Sequence, residues 1–161
     1  SLFLSSCFAI REIDESIKEK IKNFKDEKAV LFYKNGEVAI LEVDNSIDLS
    51  NILKEYLKKD LEYFYIRGAI TPKIIEAFIN NRGSYEKITL LAEDGTKFFL
   101  SSSLLDKAKL SGMEFQVLNK INLLFVTINP HSPLGVDFNK EEFKSRLQNE
   151  VSVPVINVLG D

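Results

Sequence analysis

Residues 63–92 read YFYIRGAITPKIIEAFINNRGSYEKITLLA, and one strand–helix–strand unit is written into them. Residues 63–67 are aromatic or β-branched up to Arg67, and Gly68 interrupts the run, as at the end of a strand. Thr71 then stands where a helix cap is wanted, and Pro72 at a favoured first-turn position. Ile74, Ile75, Phe78 and Ile79 recur at helical spacing and form one apolar face that stops near Gly83. The next apolar run, residues 88–92, is a second strand. A strand, an amphipathic helix and a strand in succession predict a parallel crossover.

The pattern continues downstream. Glu93, Asp94, Gly95 and Thr96 close the second strand, after which residues 97–100 form either a returning hairpin strand or an irregular connection. A serine run at 101–103 caps a helix carrying Leu104, Leu105 and Ala108, ended by Gly112 where a left-handed residue is wanted. Residues 115–118 and 121–128 read as strands, the second so apolar that it is expected to be buried on both faces. Only Asn119 and Lys120 separate them. That is too short for a parallel crossover, so an antiparallel pair or one bent strand is expected.

Upstream, residues 2–7 read as a short buried strand. Ile10, Ile13, Ile17, Ile21 and Phe24 then recur at spacings of three and four with charges between them, which predicts an amphipathic helix. Residues 29–33 and 38–43 are apolar runs joined through Asn35-Gly36, the pair best suited to a tight hairpin turn. Asp48 can cap a helix that buries Leu49, Ile52, Leu53, Tyr56 and Leu57. At the other end, Asn139 and Glu142 have capping-box spacing, flanked by Phe138 and Phe143 as a hydrophobic staple. Phe143 and Leu147 bury that helix, and residues 153–158 make a last strand with Pro154 at its start or on an edge. The fold class expected is α/β, a mostly parallel sheet with helices on both faces, preceded by an N-terminal helix and a β-hairpin. Residues 1–161 are read as a single α/β domain, with the opening at Ser1 fitting either methionine removal or a piece of a longer protein.

Composition narrows the function. A hydrophobic share of 45% with 28% charged residues is that of a globular protein able to bury its own core. Twenty-four acids against 21 bases, with the bases scattered along helices, disfavour nucleic acid as a partner. No apolar run approaches the roughly 18 residues of a membrane span. One cysteine, Cys7, cannot form an internal disulfide, which suits the cytoplasm. It lies in an apolar run and reads as a small buried residue.

In an open α/β sheet, ligands bind where loops gather at the carboxyl edge of the strands. Three loops qualify. Gly68 and Thr71 offer backbone N–H groups and a hydroxyl at a helix start, a setting for an anion, although capping alone accounts for Thr71-Pro72. Asp94, Thr96 and Lys97 bring a carboxylate, a hydroxyl and an ammonium together, against the simpler reading of a turn in which Asp94 bonds its own backbone. The third loop, residues 129–135, crowds Asn129, Pro130, His131, Ser132, Pro133 and Gly135 together. His131 is the only histidine and titrates near neutrality, but its place between two prolines favours a surface or capping role. No metal-ligand spacing occurs, and neither glycine-rich phosphate signature is present. No cofactor follows from the residues.

The order and spacing of Gly68-Ala69-Ile70-Thr71, Asp94-Gly95-Thr96-Lys97-Phe98-Phe99, Asn122-Leu123-Leu124, Asn129-Pro130-His131-Ser132-Pro133-Leu134-Gly135 and Val153-Pro154-Val155 resemble one family. It is the accessory, or reactivase, subunit encoded with the adenosylcobalamin-dependent lysine 5,6-aminomutase of amino-acid-fermenting anaerobes. The similarity is to its C-terminal portion and covers roughly residues 60–158, with the N-P-x-S-P-x-G stretch its most specific part. The resemblance implies that nucleotide-handling features belong to an upstream segment and that this chain is a fragment or shortened relative. It transfers no catalytic residue. Its implication is an accessory domain that binds a protein partner in the service of a cobalamin enzyme. The alternative is a small-ligand or nucleotide-binding α/β enzyme using Asp94, Lys97, Asn129 and His131.

Overall fold

The computed structural model describes residues 10–42, 49–122, 124–128, 135 and 139–157. In chain order its elements are β1 (Arg11–Glu12), α1 (Glu15–Lys22), β2 (Ala29–Tyr33), β3 (Val38–Leu41), α2 (Leu49–Tyr56), β4 (Leu61–Ile66), α3 (Pro72–Asn80), β5 (Ile88–Ala92), α4 (Ser102–Leu110), β6 (Met113–Val117), β7 (Val126–Ile128), α5 (Lys140–Glu150) and β8 (Val155–Asn157). The chain is mixed α/β. Six strands form one sheet in the order β1-β6-β5-β4-β2-β3. The pairs β1–β6, β6–β5 and β5–β4 are parallel, and the hairpin strands join antiparallel at the far side.

The unit read from residues 63–92 is this sheet's centre. Its two strands pair in register, Tyr63 opposite Thr89 and Ile66 opposite Ala92. Thr71 and Pro72 open α3 as expected. The hairpin is present too, but only Gly36 of the Asn-Gly pair takes a positive φ, at 88°. The Gly36 N–H donates to the Tyr33 carbonyl (2.9 Å) and the Asn35 side chain accepts from the Glu37 N–H (2.8 Å). That combination is the longer hairpin turn closed by a left-handed glycine.

Alternation along the strands sorts the core into two clusters. Leu31, Phe64, Ile66, Leu90 and Met113 pack with Leu53 of α2, Ile75 and Phe78 of α3 and Ala108 of α4. Val30, Phe32, Tyr65 and Leu91 pack with Ile17 and Ile21 of α1 and, from either side of it, Ile13 and Phe24. The first cluster is the larger. Within it the rings of Phe64 and Phe78 lie 5.3 Å apart and Tyr85 meets Phe78 edge-on, with the Tyr85 hydroxyl donating to the Phe78 carbonyl at 3.1 Å.

Several expectations are corrected. The N-terminal helix begins at Glu15, because Arg11 and Glu12 are drawn into the sheet beside Gln116 and Val117. Of the two alternatives open for residues 97–100, the structure takes the irregular connection. Gly95–Lys97 is a 3-10 turn, and Phe98 makes an isolated parallel bridge to Ile70. The apolar run 121–128 is not a strand buried on both faces. Its strand is only Val126–Ile128, with Leu124 75% and Phe125 50% exposed. Nor is it the antiparallel partner of β6. The place beside β6 is taken by β1, and β7 pairs in parallel with β8 in a separate two-stranded sheet joined through α5. A short apolar run does not reveal which sheet it enters. The last strand is Val155–Asn157, with Pro154 just before it. The proposed strand at 2–7, the Asp48 cap and the Phe138 half of the staple lie outside the described residues.

Among the described residues no helix is long and apolar enough to cross a membrane.

Candidate functional site

Because Ile66 and Ala92 stand side by side in parallel register, the loops leaving β4 and β5 emerge at one edge, as the crossover rule requires. Gly68, Thr71, Asp94, Thr96 and Lys97 are thereby gathered. The loops are tied directly: the Ile70 N–H donates to the Lys97 carbonyl at 2.7 Å and the Phe99 N–H to the Ile70 carbonyl at 3.0 Å. The third loop does not join them through this sheet, since β7 belongs to the other one. Asn129, His131 and Ser132 themselves lie outside the described residues.

Within the paired loops Asp94 performs the turn role. Its carboxylate accepts from the Thr96 N–H (2.8 Å) and the Thr96 hydroxyl (2.5 Å), so both groups are occupied locally. Thr71 holds the cap position of α3 with extended backbone, without a side-chain cap bond. At Gly68 an added Cβ would meet nothing within 4 Å, which leaves the backbone there open to close approach. Lys97 is half-buried.

The same edge holds a second feature on the α1 side. A cleft of about 400 Å³ opens between α1 and the ends of β4, β5 and β6. Tyr65, Ile21 and Leu118 contribute its apolar surface. Lys18, Lys22 and Lys25 line it from α1 and the turn that follows, and Arg67, Glu93 and Asn119 from the strand ends. Lys18 is held by Glu12 and Glu15, and Lys22 by Glu19. The pairing with Glu12 raises the Lys18 ammonium and lowers the Glu12 carboxyl. Lys25, Arg67, Asp26 and Glu93 have no ion-pair partner among the described residues.

Tyr65 is the least ordinary member. It is only 3% exposed, and its hydroxyl makes no hydrogen bond among the described residues. No fully enclosed side-chain polar atom there lacks a partner, so this hydroxyl must retain contact with solvent. Burial pushes its phenol pKa up, the Glu93 carboxylate adds to the shift, and Arg67 opposes it.

Sequence reasoning passed over this cleft. The available signal was the alternation Tyr63, Tyr65, Arg67 against Phe64 and Ile66, which puts polar-tipped residues on one face of β4. Glu93 continues the face of Leu91 in the same way. Among the described residues no group of three His, Cys, Asp or Glu could hold a metal ion.

Comparison with protein-family models, with curated proteins and with solved structures finds no match in any of the three.

Proposed function

We propose that this chain is an accessory domain that binds a protein partner. The observation that carries the reading is the outer hairpin strand. Among the described residues β3 is an edge strand, and it exposes Val38 (38%) and Ile40 (44%) on the side of the sheet that holds Val30 and Phe32. A groove of about 330 Å³ runs alongside, lined by Ile17, Phe24, Phe32, Val38 and Tyr63. Bare apolar edges invite pairing with another strand unless they are guarded. Here Glu37 and Glu42 flank the strand, which favours an extended partner segment with alternating apolar residues and basic ends.

The resemblance noted in the sequence names the partner: an adenosylcobalamin-dependent lysine 5,6-aminomutase of amino-acid fermentation, met in the cytoplasm, with neither nucleic acid nor membrane involved. In this reading α1 covers one face of the sheet and α2, α3 and α4 the other, so that α1 leaves the β3 side bare. The test is complex formation. Purified chain mixed with the aminomutase subunits should co-elute on gel filtration, and Ile40→Glu should abolish co-elution while leaving the circular dichroism spectrum unchanged. Co-elution unaffected by Ile40→Glu removes the β3 surface from the reading, and no complex with the aminomutase removes the named partner. A second reading, ligand or nucleotide binding by an enzyme, draws on the tie between the Gly68–Thr71 and Asp94–Lys97 loops at the carboxyl edge.

A further inference from the structure

The cleft under α1 has the makings of a site that the partner-binding role does not use. From it we infer that the carboxyl edge binds a small hydroxylated metabolite bearing one terminal oxyanion, either a carboxylate or a phosphate. Tyr65 supplies the first indication. A phenol buried to this extent ordinarily finds a protein partner for its hydroxyl, and this one has none among the described residues. A phenol is protonated at neutral pH whether or not burial raises its pKa, so the hydroxyl can donate a hydrogen bond. A donor at the floor of a cleft suits an acceptor group of a ligand.

The charges around it point to which acceptor. Arg67 and Lys25 line the cleft without ion-pair partners, and Lys18 and Lys22 add to the positive side while held by Glu12, Glu15 and Glu19. An oxyanion placed against the Tyr65 hydroxyl and the Arg67 guanidinium would receive charge-assisted hydrogen bonds, the guanidinium being able to offer two at once. Glu93 and Asp26 are equally unpaired and would repel a ligand that was only an anion. They accept hydrogen bonds, however, as does the Asn119 amide, and a ligand body carrying hydroxyl groups would satisfy them. The volume, about 400 Å³, is in the range of small-metabolite sites. The position, outside the carboxyl ends of parallel strands, is where such ligands bind in open α/β sheets.

Isotope-labelled full chain titrated with ribose 5-phosphate, gluconate and ribose tests this by nuclear magnetic resonance. The expected result is saturable movement of the Arg67, Glu93 and Asn119 amides with ribose 5-phosphate or gluconate, the stronger of the two naming the oxyanion. Ribose, which lacks the oxyanion, should give no saturable movement. Tyr65→Phe and Arg67→Gln should each weaken binding about tenfold, whereas Lys87→Gln, away from the cleft, should not. Tyr65→Phe keeps the ring that packs in the core and Arg67 is exposed, so neither change threatens the fold. No saturable movement with either anion, equal response to ribose, or binding indifferent to both cleft variants would overturn the assignment. The partner need not be present, so failure here leaves the β3 surface untouched, and failure of complex formation leaves this cleft untouched.

Discussion

Tyr33 is where a single side chain ties together three parts of the chain. It lies at the end of β2, it is 4% exposed, its hydroxyl donates to the Tyr56 carbonyl of α2 at 2.7 Å, and the Lys58 ammonium sits 5.1 Å from its ring centre. Burial, with Glu37 and Asp60 adding to it, pushes its phenol up to about 12 from the usual 10.0. An acid whose pKa is raised in the folded state stays protonated there while the unfolded chain ionises, so folding stability falls as pH rises between those values. Below pH 10.0 this contribution is fully present. Urea midpoints measured from pH 9 to 12 should therefore decline above about pH 10, and Tyr33→Phe should flatten the decline while lowering stability near neutrality by about 1 kcal/mol for the lost hydrogen bond. A slope unchanged in Tyr33→Phe would assign alkaline loss to other tyrosines, of which Tyr63, Tyr65 and Tyr85 are also raised. At this scale the sequence was legible where the physics is local. Ser101 and Asn139 accept from the N–H groups of Leu104 (3.3 Å) and Glu142 (3.1 Å), because a cap depends only on the following turn. The Tyr65 cleft was not legible, since its opposite wall, Lys18 to Lys25, comes from a remote stretch of chain.

Elements were read well where their ends carry steric signals. Gly112 is one. It takes φ +82° just after α4, its N–H donates to the Lys109 carbonyl and its carbonyl accepts from Ile88. An added Cβ there would stand 3.0 Å from the Glu86 carbonyl oxygen and 3.2 Å from an Arg82 nitrogen. Gly112→Ala thus combines an unfavourable φ with crowding against backbone, and should cost at least about 1 kcal/mol in a denaturant melt. Gly83→Ala, where an added Cβ meets nothing within 4 Å, should stay within about 0.5 kcal/mol. Equal effects would mean that neither the φ nor the crowding at Gly112 matters. Residues 121–128 show the limit of such reading. Their apolar content was visible, but strand length and sheet membership depend on which edge is already occupied. β1, two residues long, gives too little pattern to announce that it occupies this one.

Across the described residues, the last strand of the six-stranded sheet ends at Val117, and the two-stranded sheet hydrogen-bonds to none of its strands. Buried Ile128 and Val155 belong to neither of the two core clusters. A chain ending at Asn122 should consequently keep its near-ultraviolet circular dichroism and melt cooperatively; aggregation or a lost near-ultraviolet signal would show that residues 124–157 are needed for the larger sheet. The broad class was legible because strands and helices alternate, whereas the division into two sheets was not, since it is fixed by pairing between distant residues. That distance bears on how the protein is made. β1 leaves the ribosome before every other described strand, yet its partner among the described residues, β6, is the last of the six to be synthesised. Loop closure over so much intervening chain is slow to be rewarded by contacts. While the intervening residues are being synthesised, Arg11 and Glu12 are without these strand partners, and the β1–β6 edge can close only after Gln116 and Val117 emerge.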